Sequence, residues 1–151
     1  MNYIGQGDMF MNIQKVQPNQ TKFGTKVYMA QETKNLILKS NAKRKFLRHI
    51  SKLENNGNED VFVLTHEVNP DMKLITNLKG IVYEKRGNDI FKTPYGYTDA
   101  LTMSVLDRVR DVIFDQHANI LGLYEASKYK CIMRKMDTDS YKKMLSNLTT
   151  I

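Results

Sequence analysis

The sequence has little of the chemistry that marks a disulfide-stapled or metal-bound protein. It contains one cysteine, Cys131, and no tryptophan among its 151 residues. One cysteine excludes a disulfide within the chain and leaves too few thiolates for a cysteine-based zinc site. We therefore expect a protein of a reducing compartment, and hence a cytoplasmic one.

Long apolar runs and nucleotide-binding motifs are missing as well. No stretch approaches the roughly 18–20 consecutive apolar residues of a membrane-spanning helix, so we expect no membrane partner. The eight glycines are scattered and form neither Gly-x-Gly-x-x-Gly nor Gly-x-x-x-x-Gly-Lys-Ser/Thr, and the His-Glu-x-x-His and Gly-x-Ser-x-Gly motifs are not found. The sequence predicts no cofactor and no metal site, and no motif in it identifies an activity.

What the sequence does have is the composition of a folded domain. Hydrophobic residues make up 41% of the chain and charged residues 26%, which are ordinary values for a globular protein and predict a packed core. The length suits one domain, because domains cluster near roughly 100–150 residues. Residues 1–20 are rich in Gln, Asn and Gly and contain Pro18, so we expect a mobile N-terminal tail before a single domain over residues 21–151.

Apolar periodicity divides this domain into strands and helices. Strands are predicted over 22–30, 61–64, 73–78, 81–85 and 90–92, with a hairpin turn over 86–89. Apolar residues at three-to-four spacing predict a long basic helix over 32–54, a second amphipathic helix over 98–117 and a short C-terminal helix over 139–148. Residues 124–136 fit either helix or strand. Adjacent strands with separate helices indicate the α+β class, with a mainly antiparallel sheet of four to five strands.

The basic excess of the chain lies in one segment. With 23 Lys and Arg against 16 Asp and Glu, the net charge is +7. No acid lies between Glu32 and Glu54, and the basic residues of this interval account for the whole excess: Lys34, Lys39, Lys43, Arg44, Lys45, Arg48 and Lys52. Such a concentration of one charge raises the local potential and attracts a polyanion.

The leading hypothesis is a small non-enzymatic binding module whose long basic helix engages an acidic partner, either nucleic acid or a protein. The residues expected to contact that partner are Lys39, Lys43, Arg44, Lys45, Arg48 and Lys52. The alternative interpretation is a solvated helix face, or one that pairs with an acidic stripe on the second helix. That stripe consists of Asp107, Asp111 and Asp115, which stand four residues apart and would share one helical face.

A small metal-independent ribonuclease is an alternative of a different class. Histidine titrates near neutrality, and aromatic residues between basic ones can stack bases and hold phosphates. The candidate groups for this chemistry are His66, Tyr83, Tyr95 or Tyr97, Lys85 and Arg86. Lys92, on the same predicted hairpin, joins them as a secondary candidate for binding nucleic acid. His66 and Glu67 are neighbours on a predicted strand, so their side chains point to opposite faces and do not form a local pair. For the tyrosines, the structural alternative is a place at the edge of a core with the hydroxyl in water.

A third hypothesis is a structural or regulatory protein that works through dimerisation, because a basic and an acidic helix can also pair across a homodimer. The three hypotheses differ in what they predict for simple assays. Salt-sensitive binding to nucleic acid supports the binding module, and RNA cleavage that survives a chelator supports the ribonuclease. A monodisperse dimer with neither activity supports the third.

Overall fold

The computed structural model of the protein describes residues 23–68, 75–93, 102–106, 111–114 and 118–151. The tail predicted over residues 1–20 lies outside these ranges, and so do Tyr95 and Tyr97. The described elements are β1 (Lys26–Met29), α1 (Gln31–Leu38), α2 (Lys43–Glu54), β2 (Asp60–Val68), β3 (Ile75–Arg86), β4 (Asp89–Lys92), β5 (Thr102–Leu106), β6 (Asp111–Phe114), α3 (Ile120–Lys130), β7 (Arg134–Met136) and α4 (Thr138–Ser146). One sheet with helices that do not alternate regularly with its strands confirms the predicted α+β class.

The described strands form one sheet in which most neighbours are antiparallel. Its main path runs β1-β2-β3-β4-β7, and the β5–β6 hairpin joins it through β3. The pair β1 and β2 is parallel, because α1 and α2 carry the chain back to the end of the sheet where β1 begins. At 12 residues, β3 is long enough to pair with β5 near its start and with β4 at its end.

The sheet carries a hydrophobic cluster on each face. On one face, α1, α2 and α3 pack over Phe62 and Leu64 of β2. On the other face, α4 packs over Val63 and Tyr83, and the Tyr83 ring lies 5.6 Å from the ring of Tyr141. Successive residues of β2 therefore enter opposite clusters, which confirms the strand predicted over 61–64 and shows that both of its faces are covered.

The long basic helix predicted over 32–54 is in fact two helices, with a break between Leu38 and Lys43. At the break, the amide and the hydroxyl of Ser40 both donate to the carbonyl oxygen of Ile37, at 3.1 and 2.7 Å. A serine that bonds back to the preceding turn competes with the helical hydrogen-bond ladder, and this ends α1. The predicted apolar face is confirmed in α2, where three of its members are buried: Phe46, Ile50 and Leu53.

The prediction of a second amphipathic helix over 98–117 is wrong. The described part of this segment forms β5 and β6, which pair antiparallel with Val105 opposite Val112. β-branched residues crowd the preceding turn of a helix and pack well on a pleated sheet, so these valines favour strands although their spacing also fits a helix. The acidic stripe expected on that helix does not form as expected, because Asp111 lies on β6. Asp107 and Asp115 lie outside the described residues.

The other element predictions come closer to the structure. The hairpin turn over 86–89 is confirmed and joins β3 to β4, with Gly87 at a φ of 63°. The two strands predicted over 73–78 and 81–85 are one continuous strand, β3, which runs through Gly80. The absence of a side chain at Gly80 leaves room for the Phe62 ring, since a Cβ there would lie 2.5 Å from Cε1 of Phe62. Residues 124–136 contribute to both α3 and β7. The C-terminal helix is confirmed, with Asp137 as its N-cap accepting a hydrogen bond from the Ser140 amide at 3.0 Å.

Candidate nucleic-acid interface

The exposed face of α2 carries a row of three cations. Successive residues of an α-helix turn by about 100°, so residues four apart share a face. Arg44, Arg48 and Lys52 stand four apart, are all exposed, and lie on the side of α2 that faces away from its buried apolar residues. These three residues are called the basic stripe below. The first and last residues of the stripe are eight positions apart, or about 12 Å along the helix axis.

The other cations predicted to bind a polyanion surround this stripe. Lys43 is exposed at the first residue of α2, and Lys45 is half-buried on its flank. Lys39 is exposed but belongs to the end of α1, where it is the C-cap residue. The structure thus divides the predicted set into a row of three residues and three neighbours with different orientations.

Within the described ranges, no acid forms an ion pair with the basic stripe. Ion pairs are found on the sheet and on α3 instead. His49 lies on a flank of α2, close to these cations. Burial lowers the pKa of His49, and the positive charges of Lys45, Lys52 and Arg48 lower this pKa further. The face of α2 therefore keeps its positive potential within the described part of the fold.

A pocket of about 260 Å³ opens where the C-terminal end of α2 meets α3. It is called the α2–α3 pocket below. Apolar, aromatic, amide and charged side chains all contribute to its lining, which consists of Lys52, Leu53, Asn56, Asn58, Leu121, Tyr124, Glu125 and Tyr129. Lys52 belongs to both features, so the basic stripe ends at this pocket.

A buried carboxylate organises the wall of the pocket. The Asp60 side chain is 1% exposed and accepts hydrogen bonds from the hydroxyl of Tyr124 at 2.6 Å, from the ammonium of Lys128 at 2.7 Å and from the hydroxyl of Thr25. The Asn58 amide group donates in turn to the Tyr124 hydroxyl at 3.0 Å. A buried charge is tolerated when it is paired and hydrogen-bonded, and this one joins β2 to α3 and to the residue that precedes β1. We call it the Asp60 network.

The loop between α2 and β2 is fixed by the same network. The side-chain oxygen of Asn56 accepts from the backbone amides of Thr25, at 3.2 Å, and Asn58, at 2.9 Å. Its amide group donates to the Thr25 hydroxyl at 2.8 Å. Gly57, between the two asparagines, has a φ of 82°, a left-handed conformation that favours glycine after the end of a helix. The amide wall of the pocket is therefore held in place before any ligand arrives.

The protonation states of Tyr124 and Lys128 suit a structural role for the Asp60 network. Burial raises the pKa of Tyr124, and the hydrogen bond and charge of Asp60 raise it further, against smaller effects of the bonds to Thr25 and Asn58. Burial lowers the pKa of Lys128, but its interactions with Asp60 and Tyr124 outweigh burial and the net pKa is raised. Tyr124 therefore stays a neutral hydroxyl and Lys128 an ammonium near neutral pH, so neither group is poised for proton transfer there.

The described members of the ribonuclease constellation lie apart. His66 is on β2, on the face covered by α1, α2 and α3, and its Nδ1 lies 2.8 Å from Oγ1 of the buried Thr33. Tyr83 is buried on the opposite face, against α4, where burial raises its pKa. Its partner on β2 is Val61, five residues or roughly 16 Å along the strand from His66. The sheet thus separates the histidine from the tyrosine.

The secondary basic candidates also divide between the two faces. Lys85 and Arg86 are adjacent on β3 and point to opposite sides of the sheet. Lys92 lies on β4 opposite Tyr83, so it shares a face with Lys85. Arg86 is occupied by an ion pair with Glu84, with Nε at 2.7 Å from Oε1, and lies over an aromatic ring of β4. The two lysines and the arginine therefore do not form one site.

Sequence reasoning missed the Asp60 network. Asp60 precedes an apolar strand without any motif around it, and its partners Tyr124 and Lys128 lie 64 and 68 residues further along the chain. Contacts over such separations are not visible in the spacing of one sequence. A weaker signal was present, because Tyr124 and Lys128 stand four apart and share a helical face once residues 120–130 are taken as a helix.

Neither the described residues nor the comparisons with known proteins point to a metal site, a membrane span or a known family. Among the described residues, no group of three His, Cys, Asp or Glu side chains is placed to hold a metal ion. The helices in this part of the chain are also too short or too polar to cross a bilayer. The chain matches no known protein family, no curated protein and no solved structure.

Proposed function

We propose that the protein is a small, non-enzymatic module that binds nucleic acid through the exposed face of α2. One observation carries the proposal: the basic stripe is exposed, lies opposite the buried face of its helix, and is not neutralised by any acid of the described residues. Phosphate groups would supply the missing charge, and the counterions that they release would drive association. The guanidinium groups of Arg44 and Arg48 suit phosphate because they offer paired donors in a fixed plane.

Nucleic acid fits this face better than an acidic protein does. The centre of a protein–protein interface is depleted in charged residues and enriched in aromatic and apolar ones. The exposed side chains of α2 are charged or polar, and the exposed large hydrophobic residues of the described ranges all lie elsewhere: Phe23, Tyr129, Ile132 and Ile151. A charged face without an apolar centre is what contact with a phosphate backbone requires.

Such binding should depend strongly on salt and weakly on sequence. Phosphate contacts position a protein without reading bases, so mixed-sequence strands should bind with similar affinity. For single strands, the logarithm of affinity falls with the logarithm of salt concentration by about 0.7 for each neutralised phosphate. Loss of the three stripe contacts should therefore reduce that slope by about 2.

The test compares the parent with two variants that each lose three positive charges. The stripe variant carries Arg44→Gln, Arg48→Gln and Lys52→Gln. The control carries three substitutions of exposed lysines on β1 and α4, which are Lys26→Gln, Lys142→Gln and Lys143→Gln. Binding to a fluorescent mixed-sequence oligonucleotide is measured by anisotropy, and circular dichroism confirms that each variant is folded.

We expect the parent and the control variant to bind at low salt and the stripe variant to bind at least about 10-fold more weakly, since each charge-assisted contact is worth roughly 1 kcal/mol or more. A parent that does not bind at low salt contradicts the proposal. Equal losses in the stripe and control variants also contradict it, because they would mean that net charge alone, and not the α2 face, attracts the strand.

A further inference from the structure

The α2–α3 pocket has no role in simple phosphate binding. We propose, on the basis of the nucleic-acid function proposed above, that this pocket receives one unpaired base of a single strand bound along the basic stripe. The inference makes single-stranded nucleic acid the preferred ligand class. It also assigns Tyr129 as the stacking residue and Glu125 as an acceptor at the edge of the base.

The place of the pocket carries the first step of the argument. Lys52 is the last residue of the basic stripe and also lines the pocket. A strand whose phosphates follow Arg44, Arg48 and Lys52 therefore passes the mouth of the pocket. A base that turns away from the phosphate near Lys52 can enter it without moving the backbone from the stripe.

The lining of the pocket fits an aromatic base. Leu53 and Leu121 supply apolar surface, and the volume of about 260 Å³ lies just below the usual range of about 300–1,000 Å³ for small-ligand sites, as suits a single base. Tyr129 lines the pocket and is nevertheless 70% exposed. Single-strand binding proteins combine positive charge along the backbone with aromatic side chains on which bases stack, and the basic stripe and Tyr129 supply these two elements.

The polar groups of the pocket suit the amino edge of a base. The side-chain amide nitrogen of Asn58 donates to the Tyr124 hydroxyl, and the side-chain carbonyl oxygen of Asn58 is an acceptor. Glu125 is exposed on the lining and supplies two further acceptor oxygens. Carboxylates accept hydrogen bonds from the exocyclic amine of cytosine, whereas uracil presents a carbonyl at the same position. The negative charge of Glu125 also keeps phosphate out of the pocket and on Lys52.

The first experiment separates stacking from phosphate binding. The Tyr129→Ala and Tyr129→Phe variants are titrated with a single strand and with a duplex of the same sequence. We expect Tyr129→Ala to lose about 10-fold in single-strand affinity, the size of effect typical for one stacked base. Duplex affinity and the salt slope should stay unchanged, and Tyr129→Phe should retain the parent affinity because it keeps the ring.

The second experiment tests the edge contact with oligocytidine and oligouridine of equal length. We expect the parent to prefer oligocytidine by about fivefold and the Glu125→Gln variant to lose most of that preference. The ratio of the two affinities is the readout, because removal of an acidic group strengthens both complexes. Equal binding of the two strands by the parent would overturn the role of Glu125.

The outcomes distinguish this inference from the proposed function. A parent that binds no nucleic acid overturns both. A parent that binds through the stripe while Tyr129→Ala affects neither ligand, or affects single strand and duplex equally, overturns the pocket alone and leaves the function of the stripe intact.

Discussion

Removal of the Asp60 carboxylate should be one of the most damaging single changes that the described part of the fold can undergo. Asp60→Ala deletes the acceptor of three hydrogen bonds and leaves the Lys128 ammonium, whose side chain is 15% exposed, without its partner at 2.7 Å. Breaking a buried ion pair by removing one partner costs about 3–5 kcal/mol, and a buried hydroxyl left without an acceptor costs about 1–3 kcal/mol more.

Two features limit this cost. Lys128 keeps a second acid, because Oε2 of Glu84 lies 3.8 Å from its Nζ. The Lys128 side chain is also not fully buried, so water and local relaxation can partly solvate its ammonium. We therefore expect Asp60→Ala to lower the free energy of unfolding by about 4 kcal/mol. The double variant Asp60→Ala, Lys128→Met should lose about 1–3 kcal/mol less unfolding free energy than the sum of the two single losses, because the two residues are directly coupled.

Urea unfolding followed by far-ultraviolet circular dichroism measures these free energies. The matched control is Glu67→Ala, which breaks an ion pair of similar length, 2.9 Å to Lys79, whose acid is 59% exposed. We expect that control to cost less than about 1 kcal/mol, as exposed pairs do. An Asp60→Ala variant no less stable than Glu67→Ala would refute the argument that this network holds the pocket wall.

Two further predictions follow from the core and the pKa shifts. Phe46→Ala should cost about 3–5 kcal/mol of unfolding free energy because Phe46 is fully buried, whereas Phe23→Ala, at 65% exposure, should cost less than about 1 kcal/mol in the same urea titration; equal costs would contradict the phase assigned to α2. Burial and neighbouring cations lower the pKa of His49 below its usual 6.5, so below pH 6.5 the unfolded chain takes up a proton that the folded chain resists. Stability should fall as the pH drops from 7 to about 5.5, and His49→Leu should flatten that fall; identical pH profiles would show that His49 does not titrate in this way.

Local chemistry explains which parts of the fold were predictable. The hairpin turn at Gly87 is encoded within four residues, and the structure confirms it. The apolar face of α2 repeats over three turns, so its phase was also correct. The break at Ser40 was missed because apolar spacing continues across it, while the hydrogen bond that ends α1 involves only one hydroxyl.

Long-range pairing explains what the sequence could not supply. Val105 and Val112 fit a helical spacing, and only their antiparallel pairing reveals strands. The basic residues of the candidate site were identified from charge alone, but their division into a row and its neighbours depends on where α1 ends. The Asp60 network and the α2–α3 pocket depend on the packing of α3 against β2, which no local pattern specifies.

The most direct test of the account is a map of the bound strand on the protein. Amide resonances of the isotope-labelled chain are followed by nuclear magnetic resonance while a mixed-sequence single-stranded oligonucleotide is added. We expect the largest shifts along the exposed face of α2, at Arg44, Arg48 and Lys52, and at Tyr129 beside the pocket. Shifts concentrated on α4, around Lys142 and Lys143, or no shifts at low salt would contradict the claim that α2 is the nucleic-acid interface.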